Sequence, residues 1–204
     1  MFVPRLVRSV FLIGLIALAA SCSSTRKELP YVDEIGVERA AKDRLLGSAA
    51  DSPVKAEQRG TFLPLAYFPV DEGYRVPAQL SPAPGEAALE MPTSRGERRQ
   101  MRRAGQLKFS VKGQVLTLTA FVEASDRQMT RLFVPFRDPT NGIETYPAGR
   151  YLDLDRTATG VYDLDFNRAY HPYCYYNASY DCPYPPAENR LAMPIRAGER
   201  VRPH

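Results

Sequence analysis

The residues able to do chemistry crowd into Leu132 to Ile195, which holds nine of the twelve tyrosines, two of the three cysteines and one of the two histidines. Cys174 and Cys182 are the sharpest pair. Once Cys22 is counted as a lipid attachment point an even number of cysteines remains, and in an oxidising compartment a disulfide is the default. Reactive thiols, or a metal site completed by His171, are the alternatives, and zinc would still need a fourth ligand. Asp153 and Asp155 share one face of a strand by its period of two, as do Asp163 and Asp165. If Arg156 to Gly160 joins the two runs as a hairpin, four carboxylates meet on one face. Water, Arg150, Arg156 and Arg168, or a bound Ca²⁺ must then relieve them, unless two of them form a catalytic pair. Tyr170, Tyr173, Tyr175, Tyr176, Tyr180 and Tyr184 supply amphipathic rings that either line a concave site for sugars or peptides or fill the core of a protein without tryptophan.

Between these groups lie polar residues on turn-rich segments, which packing explains less readily than apolar ones; the alternative to a ligand site is a buried network of Arg with Asp or Glu that specifies the fold. These polar residues are Arg137, Asp138, Thr140, Thr145, Tyr146, Arg150, Asp165, Asn167, Glu188, Asn189 and Arg190. The strings PFRDPTNGIETYPAGRYLD, LDFNRAYHPYCYY and YDCPYPPAENRL, in that order, resemble the bacterial family catalogued as domain of unknown function 1684. SPVKAEQRGTF, AYFPVDEGYRVPA and MPTSRGERRQMRRAGQLKF extend the resemblance over roughly Val37 to Arg200. It implies one conserved unit without an assigned reaction, and the eleven polar residues match the family's strings. Where the family tends to read AYNP, this chain has Ala169, Tyr170, His171 and Pro172, so the resemblance does not carry His171.

Several reaction classes lack their parts. There is no His-Glu-x-x-His, phosphate loop or dinucleotide glycine fingerprint, and only His171 and His204 are available as imidazole bases. Three functions remain. The first is a non-enzymatic envelope protein binding a small ligand or partner through the 137–150 and 165–190 segments. The second is a hydrolase or transferase using Asp165, Arg150 and Glu188; the third is redox activity at the cysteines. No cofactor is predicted beyond the Ca²⁺ option at Asp153, Asp155, Asp163 and Asp165. The planar fork of Arg150 suits a carboxylate of the protein or of a ligand, and the ligand role is favoured.

The address comes from the beginning of the chain. Arg5 and Arg8 precede the apolar run Val10 to Ala20, and small residues precede Cys22, which is the layout of a lipoprotein signal peptide over residues 1–21. Cys22 would be acylated, palmitate being one such chain, and would become the new N-terminus. With Ser23 behind it, the product is expected in the outer membrane, facing the periplasm. Loss of the segment changes the charge from 27 minus 23 to 25 minus 23, so the basic balance is partly the signal's own. The expected partners are the membrane and an unknown small molecule or envelope protein. Nucleic acid is excluded by compartment.

Residues 22–30 are expected to be a tether and 31–204 one domain, helical over 33–60 and β-rich over 61–204. The fold class is mainly β with an N-terminal helix (α+β), as a single small antiparallel sheet or barrel-like domain. The helix is predicted from Asp33 to Gly47 with a thin apolar stripe of Val37, Ala41 and Leu45, packed on the domain's own sheet or loosely attached, the alternative being an amphipathic helix that binds a partner. A second begins near Ser52-Pro53 and stops at Gly60. Pro64, Pro69, Pro77 and Pro82 restrict the next segment to edge strands such as Tyr74 to Leu80. A loop over Ser81 to Glu86 and a strand over Ala87 to Met91 follow. Arg95, Arg98, Arg99, Arg102 and Arg103 form either a strip for anionic lipid or a solvated face. Leu107 to Val122 reads as a hairpin about Lys112-Gly113, Thr130 to Phe136 as a strand, and Asp138 to Gly142 as a turn.

Overall fold

In the hairpin, alternating apolar residues on both sides of Lys112-Gly113 build the two longest strands, β3 (Arg98–Val111) and β4 (Gln114–Glu123). Lys112 and Gly113 both take positive φ, as the tightest hairpin turns require. The computed structural model describes residues 29–83 and 88–202. The signal segment, Cys22, most of the tether and the centre of the Ser81 to Glu86 loop lie outside them.

Around the hairpin stand β1 (Arg75–Pro82), β2 (Ala88–Pro92), β5 (Arg131–Phe136), β6 (Arg150–Asp155) and β7 (Val161–Asp165). The path through the antiparallel sheet is β6-β5-β4-β3-β1-β7, with β2 paired to β3. This order forces curvature. β6 and β7 are consecutive in the chain yet lie at opposite ends of the path, about 24 Å apart were the sheet flat. The link Arg156 to Gly160 spans at most about 21 Å. The sheet therefore curls into a nearly closed barrel, helped by a bulge between Arg103 and Gly105. Its interior is filled by alternate residues: Leu107, Phe109 and Val111; Leu118, Ala120 and Val122; Leu132, Val134 and Phe136; Leu152 and Leu154; Tyr162 and Leu164.

Several expectations change. β6 pairs with β5 and β7 with β1, so the hairpin expected about Arg156 to Gly160 is absent and the four aspartates do not share one cluster. Strand β1 is internal, not an edge; the β3 ladder begins at Ala78, which leaves Pro77 where the strand has β7 alone as neighbour. Strand β3 begins at Arg98, so all of the arginine run but Arg95, which lies in the preceding turn, is strand. Arg98 pairs with Glu90, Arg99 with Glu123 and Arg103 with Glu188, while Arg102 donates to the Asp126 carbonyl. These charges are spent within the protein, on its solvated face.

The N-terminal helix α1 (Tyr31–Ser48) is present, but its docked face is not the expected one. Val37 and Leu45 are 55% and 63% exposed, and Ile35 and Leu46 are buried instead. Polar contacts make up the difference. Tyr31 donates to Asp165 at 2.8 Å, Glu34 and Glu38 grip Arg168, Lys42 reaches Glu199 at 2.5 Å, and Asp43 accepts the Leu65 N–H at 2.9 Å. The second helical stretch starts at Ala56, not near Ser52-Pro53, as a 3-10 turn (Ala56–Gln58) that leads into α2 (Arg59–Phe62), which runs through Gly60 instead of stopping there.

Candidate functional site

Most of the polar residues singled out above hold the chain to itself. Arg150 is fully buried and donates to Asp138 Oδ2 at 2.8 Å, to the Ile195 carbonyl at 2.7 Å and to the Ala197 carbonyl at 2.5 Å. Its plane lies near the Phe136 ring, 5.2 Å from the centroid. Asp138 also receives the Thr140 N–H. Arg150 thus clamps the last segment of the chain against the barrel and cannot face a ligand. Thr140 and Thr145 share a hydrogen bond inside the 138–146 loop, where Asn141 caps Asp138.

Asn189 has a different task. β4 and β5 share a single registered pair, Phe121 with Phe133, and Pro135 has no N–H to continue the ladder. The Asn189 side chain fills the gap: it accepts from Thr119 N–H and donates to the Thr119 and Pro135 carbonyls. Asp165 and Asn167 join Arg168, Tyr31 and the backbone of Asp71 in the seam below α1. Glu188 and Arg190 are exposed, the first paired with Arg103. Arg137 donates to the Pro147 carbonyl.

Asp165, Arg150 and Glu188, the residues of the enzymatic alternative, therefore sit in three separate networks. The Ca²⁺ set is dispersed as well. Asp153 accepts from Tyr170, Asp155 from Arg131 and Asp163 from Arg75, while Asp165 is buried against Arg168. Among the described residues no three His, Cys, Asp or Glu side chains are grouped to hold a metal. Cys174 and Cys182 are neighbouring free thiols, not the expected disulfide. Tyr176 is buried, Tyr170 and Tyr175 are half-buried, and Tyr173 and Tyr184 are exposed, so the rings serve partly as core.

What the clamp positions is a basin of about 800 Å³. One wall is Thr61, Phe62 and Leu65; a second is Gly142, Ile143, Thr145 and Pro147; the third is the terminal run Arg200 to Arg202. His171, Tyr175, Tyr176 and Glu199 form the floor. The terminal run is laced in place by backbone bonds from Arg200 N–H to Ala66 and from Val201 N–H to Glu144.

The floor is polar, and its Glu199 and His171 are committed to the protein. Glu199 is buried and holds Lys42 through one oxygen and the Tyr176 hydroxyl and His171 backbone N–H through the other. Burial alone would raise its pKa, but Lys42 and these donors hold it below the ordinary carboxylate range. His171 Nε2 accepts from the Tyr146 N–H at 3.2 Å, which places the imidazole proton on Nδ1, 3.7 Å from Glu199. Neither ring nitrogen is left free to take a proton from a substrate. The rim differs: Arg200 and Arg202 have no carboxylate partner among the described residues, and Arg200 Nε is buried without a hydrogen bond. Arg202 donates to the Pro64 carbonyl, and the Arg200 guanidinium lies 5.2 Å from the Phe68 centroid. Ile143, exposed, also lines the basin.

Glu199, Arg200 and Arg202 were absent from the sequence-based candidates. Their only signal is the charged run Glu199-Arg200-Val201-Arg202 after an apolar segment, which is weak by itself.

Burial lowers the His171 pKa from 6.5 to about 4. The unfolded chain binds the extra proton between these values, so stability falls as pH drops through that window. The full loss amounts to about 3 kcal/mol. His171→Asn is expected to flatten the melting-temperature profile between about pH 6.5 and 4 relative to the native chain. Equal slopes for the two proteins would show that His171 titrates normally. Glu199 acts in a separate window: its lowered pKa stabilises the fold above the ordinary carboxylate range, and this is lost only as pH falls through the folded value.

Fold and site together define a nearly closed antiparallel β-barrel with a helix docked by ion pairs and an open basin at its C-terminal segment. The chain belongs to the family described as Protein of unknown function (DUF1684), which matches residues 60–200. It is similar to the solution structure of an uncharacterised protein from Haloarcula marismortui, with 35% identity over 82% of this chain and 92% of that one, and a TM-score of 0.65. No curated protein matches.

Proposed function

We propose that this is a lipid-anchored envelope protein, held at Cys22 in the outer membrane on the periplasmic side, whose basin binds a small molecule without transforming it. The ligand combines an anionic group with an apolar body. One observation carries this reading: Arg200 and Arg202 edge a large basin with no carboxylate among the described residues to neutralise them, beside the apolar Phe62, Ile143 and Val201. A guanidinium pair suits a carboxylate or phosphate, and apolar walls suit a hydrocarbon portion. The two segments expected to bind contribute, since Ile143, Thr145 and Pro147 come from 137–150 and His171, Tyr175 and Tyr176 from 165–190. The commitment of His171 and Glu199 to the protein favours binding over hydrolysis or transfer.

Calorimetric titration with octanoate and octyl phosphate tests the basin. At least one is expected to bind, and Arg200→Gln with Arg202→Gln should weaken it about tenfold, or about 1.4 kcal/mol, with little change in melting temperature. No binding of either probe, or binding indifferent to the double substitution, rejects the proposal. For the anchor, Cys22→Ala is expected to leave unprocessed precursor and abolish membrane association through acyl chains. A processed Ala variant that remains in the outer-membrane fraction would remove the lipoprotein reading.

A further inference from the structure

The thiols take no part in the basin, and their surroundings are more specific than a chance approach. Cys174 lies in the short helical turn Tyr173–Tyr175, and its N–H donates to Cys182 Sγ at 3.1 Å. Cys182 is buried and Cys174 half-buried. The Cys182 end of the connecting loop is pinned to the turn between β2 and β3. Cys182 N–H donates to Ser94 Oγ at 3.0 Å and Ser94 N–H to the Cys182 carbonyl at 2.9 Å; Arg95 holds the Asp181 carboxylate and the Ser179 carbonyl. This scaffold holds the two cysteines side by side while they are reduced.

The pair is also asymmetric. The neighbouring Cys182 thiol, then the Tyr146 and Ser94 hydroxyls, bring the Cys174 thiol down from 9.0 to about 7, against its burial. The same contact, with burial, pushes Cys182 up. A metal reading has less support, because His171 Nε2 is committed to the Tyr146 N–H and no third ligand is grouped with the sulfurs among the described residues.

We infer that Cys174 and Cys182 form a reversible dithiol–disulfide pair that exchanges electrons with disulfides of other molecules. Cys174, the more exposed, attacks as thiolate on one sulfur of an incoming disulfide R–S–S–R′. That S–S bond breaks, R′–S⁻ leaves and takes a proton from solvent, and a mixed disulfide joins Cys174 to R. Cys182 then loses its proton and attacks Cys174 Sγ, and R–S⁻ leaves and is protonated. The protein is oxidised by two electrons, and the incoming disulfide is reduced to two thiols. In reverse, the protein disulfide accepts electrons from a dithiol.

The test uses the full chain equilibrated in glutathione buffers of graded ratio, quenched with acid and alkylated. Peptide mass mapping counts Cys22 separately from the pair. The native protein is expected to pass in one reversible step from two alkylated thiols to an internal Cys174–Cys182 disulfide. Cys182→Ser is expected to accumulate a glutathione adduct on Cys174, and Cys174→Ser to accumulate little on Cys182. Thiols that stay reduced at every ratio overturn the inference. So does a disulfide that glutathione cannot reduce without denaturant, which would make the bond purely structural, or an adduct that prefers Cys182.

Discussion

Arg150→Met is expected to destabilise the domain by about 3–5 kcal/mol, because it strands the fully buried Asp138 carboxylate without its cationic partner. The melting temperature should fall by about 10 °C or more. The loss goes beyond the ion pair. The guanidinium also holds the Ile195 and Ala197 carbonyls, so the terminal segment loses the anchor that brings Arg200 and Arg202 to the basin. A ligand-facing arginine would behave otherwise, with stability changed by no more than about 0.5 kcal/mol. Thermal melts of the purified variant distinguish the two, and a near-native melt would overturn the clamp.

Asn189→Leu should be almost as damaging, at about 3 kcal/mol or more, although the two side chains are close in size. The substitution leaves the Thr119 N–H and the Thr119 and Pro135 carbonyls buried without partners, at the place where β4 and β5 have separated. Chemical denaturation reads the cost directly. Exchange of the Thr119 amide should accelerate beyond the global change. An unchanged midpoint would mean that the gap between the strands is hydrated and that Asn189 is dispensable.

These two residues show what the sequence made legible. The hairpin about Lys112-Gly113 was plain because the alternation on both strands is uninterrupted and the turn residues tolerate positive φ. The existence of α1 was equally readable, but its docked face was not. Apolar periodicity pointed to Val37, Ala41 and Leu45, whereas the helix docks through Tyr31, Glu34, Glu38, Lys42 and Asp43, and ion pairs with distant residues leave no periodic signal.

The pairing of β6 and β7 failed for a topological reason. Two short strands joined by five residues look like a hairpin, and only the closure of the barrel makes them ends of a path. The polar residues of the 137–190 region were rightly singled out as unusual, yet most of them are unusual because they satisfy buried backbone. Arg150 and Asn189 do so where the terminal segment and Pro135 leave carbonyl groups unpaired. The basin itself was half legible: its loops were named, while the terminal wall that carries its free charge was not.

The most direct measurement of the central claim, that the basin and not the polar network meets the ligand, is amide chemical-shift mapping with octanoate or octyl phosphate. Shifts are expected to saturate together at Ile143, Thr145, Tyr175, Arg200 and Arg202, with little change at Thr119, Asp165 and Asn189. Shifts centred on Asp165, Asn167 and Glu188, or on the tyrosines beside Cys182, would contradict it.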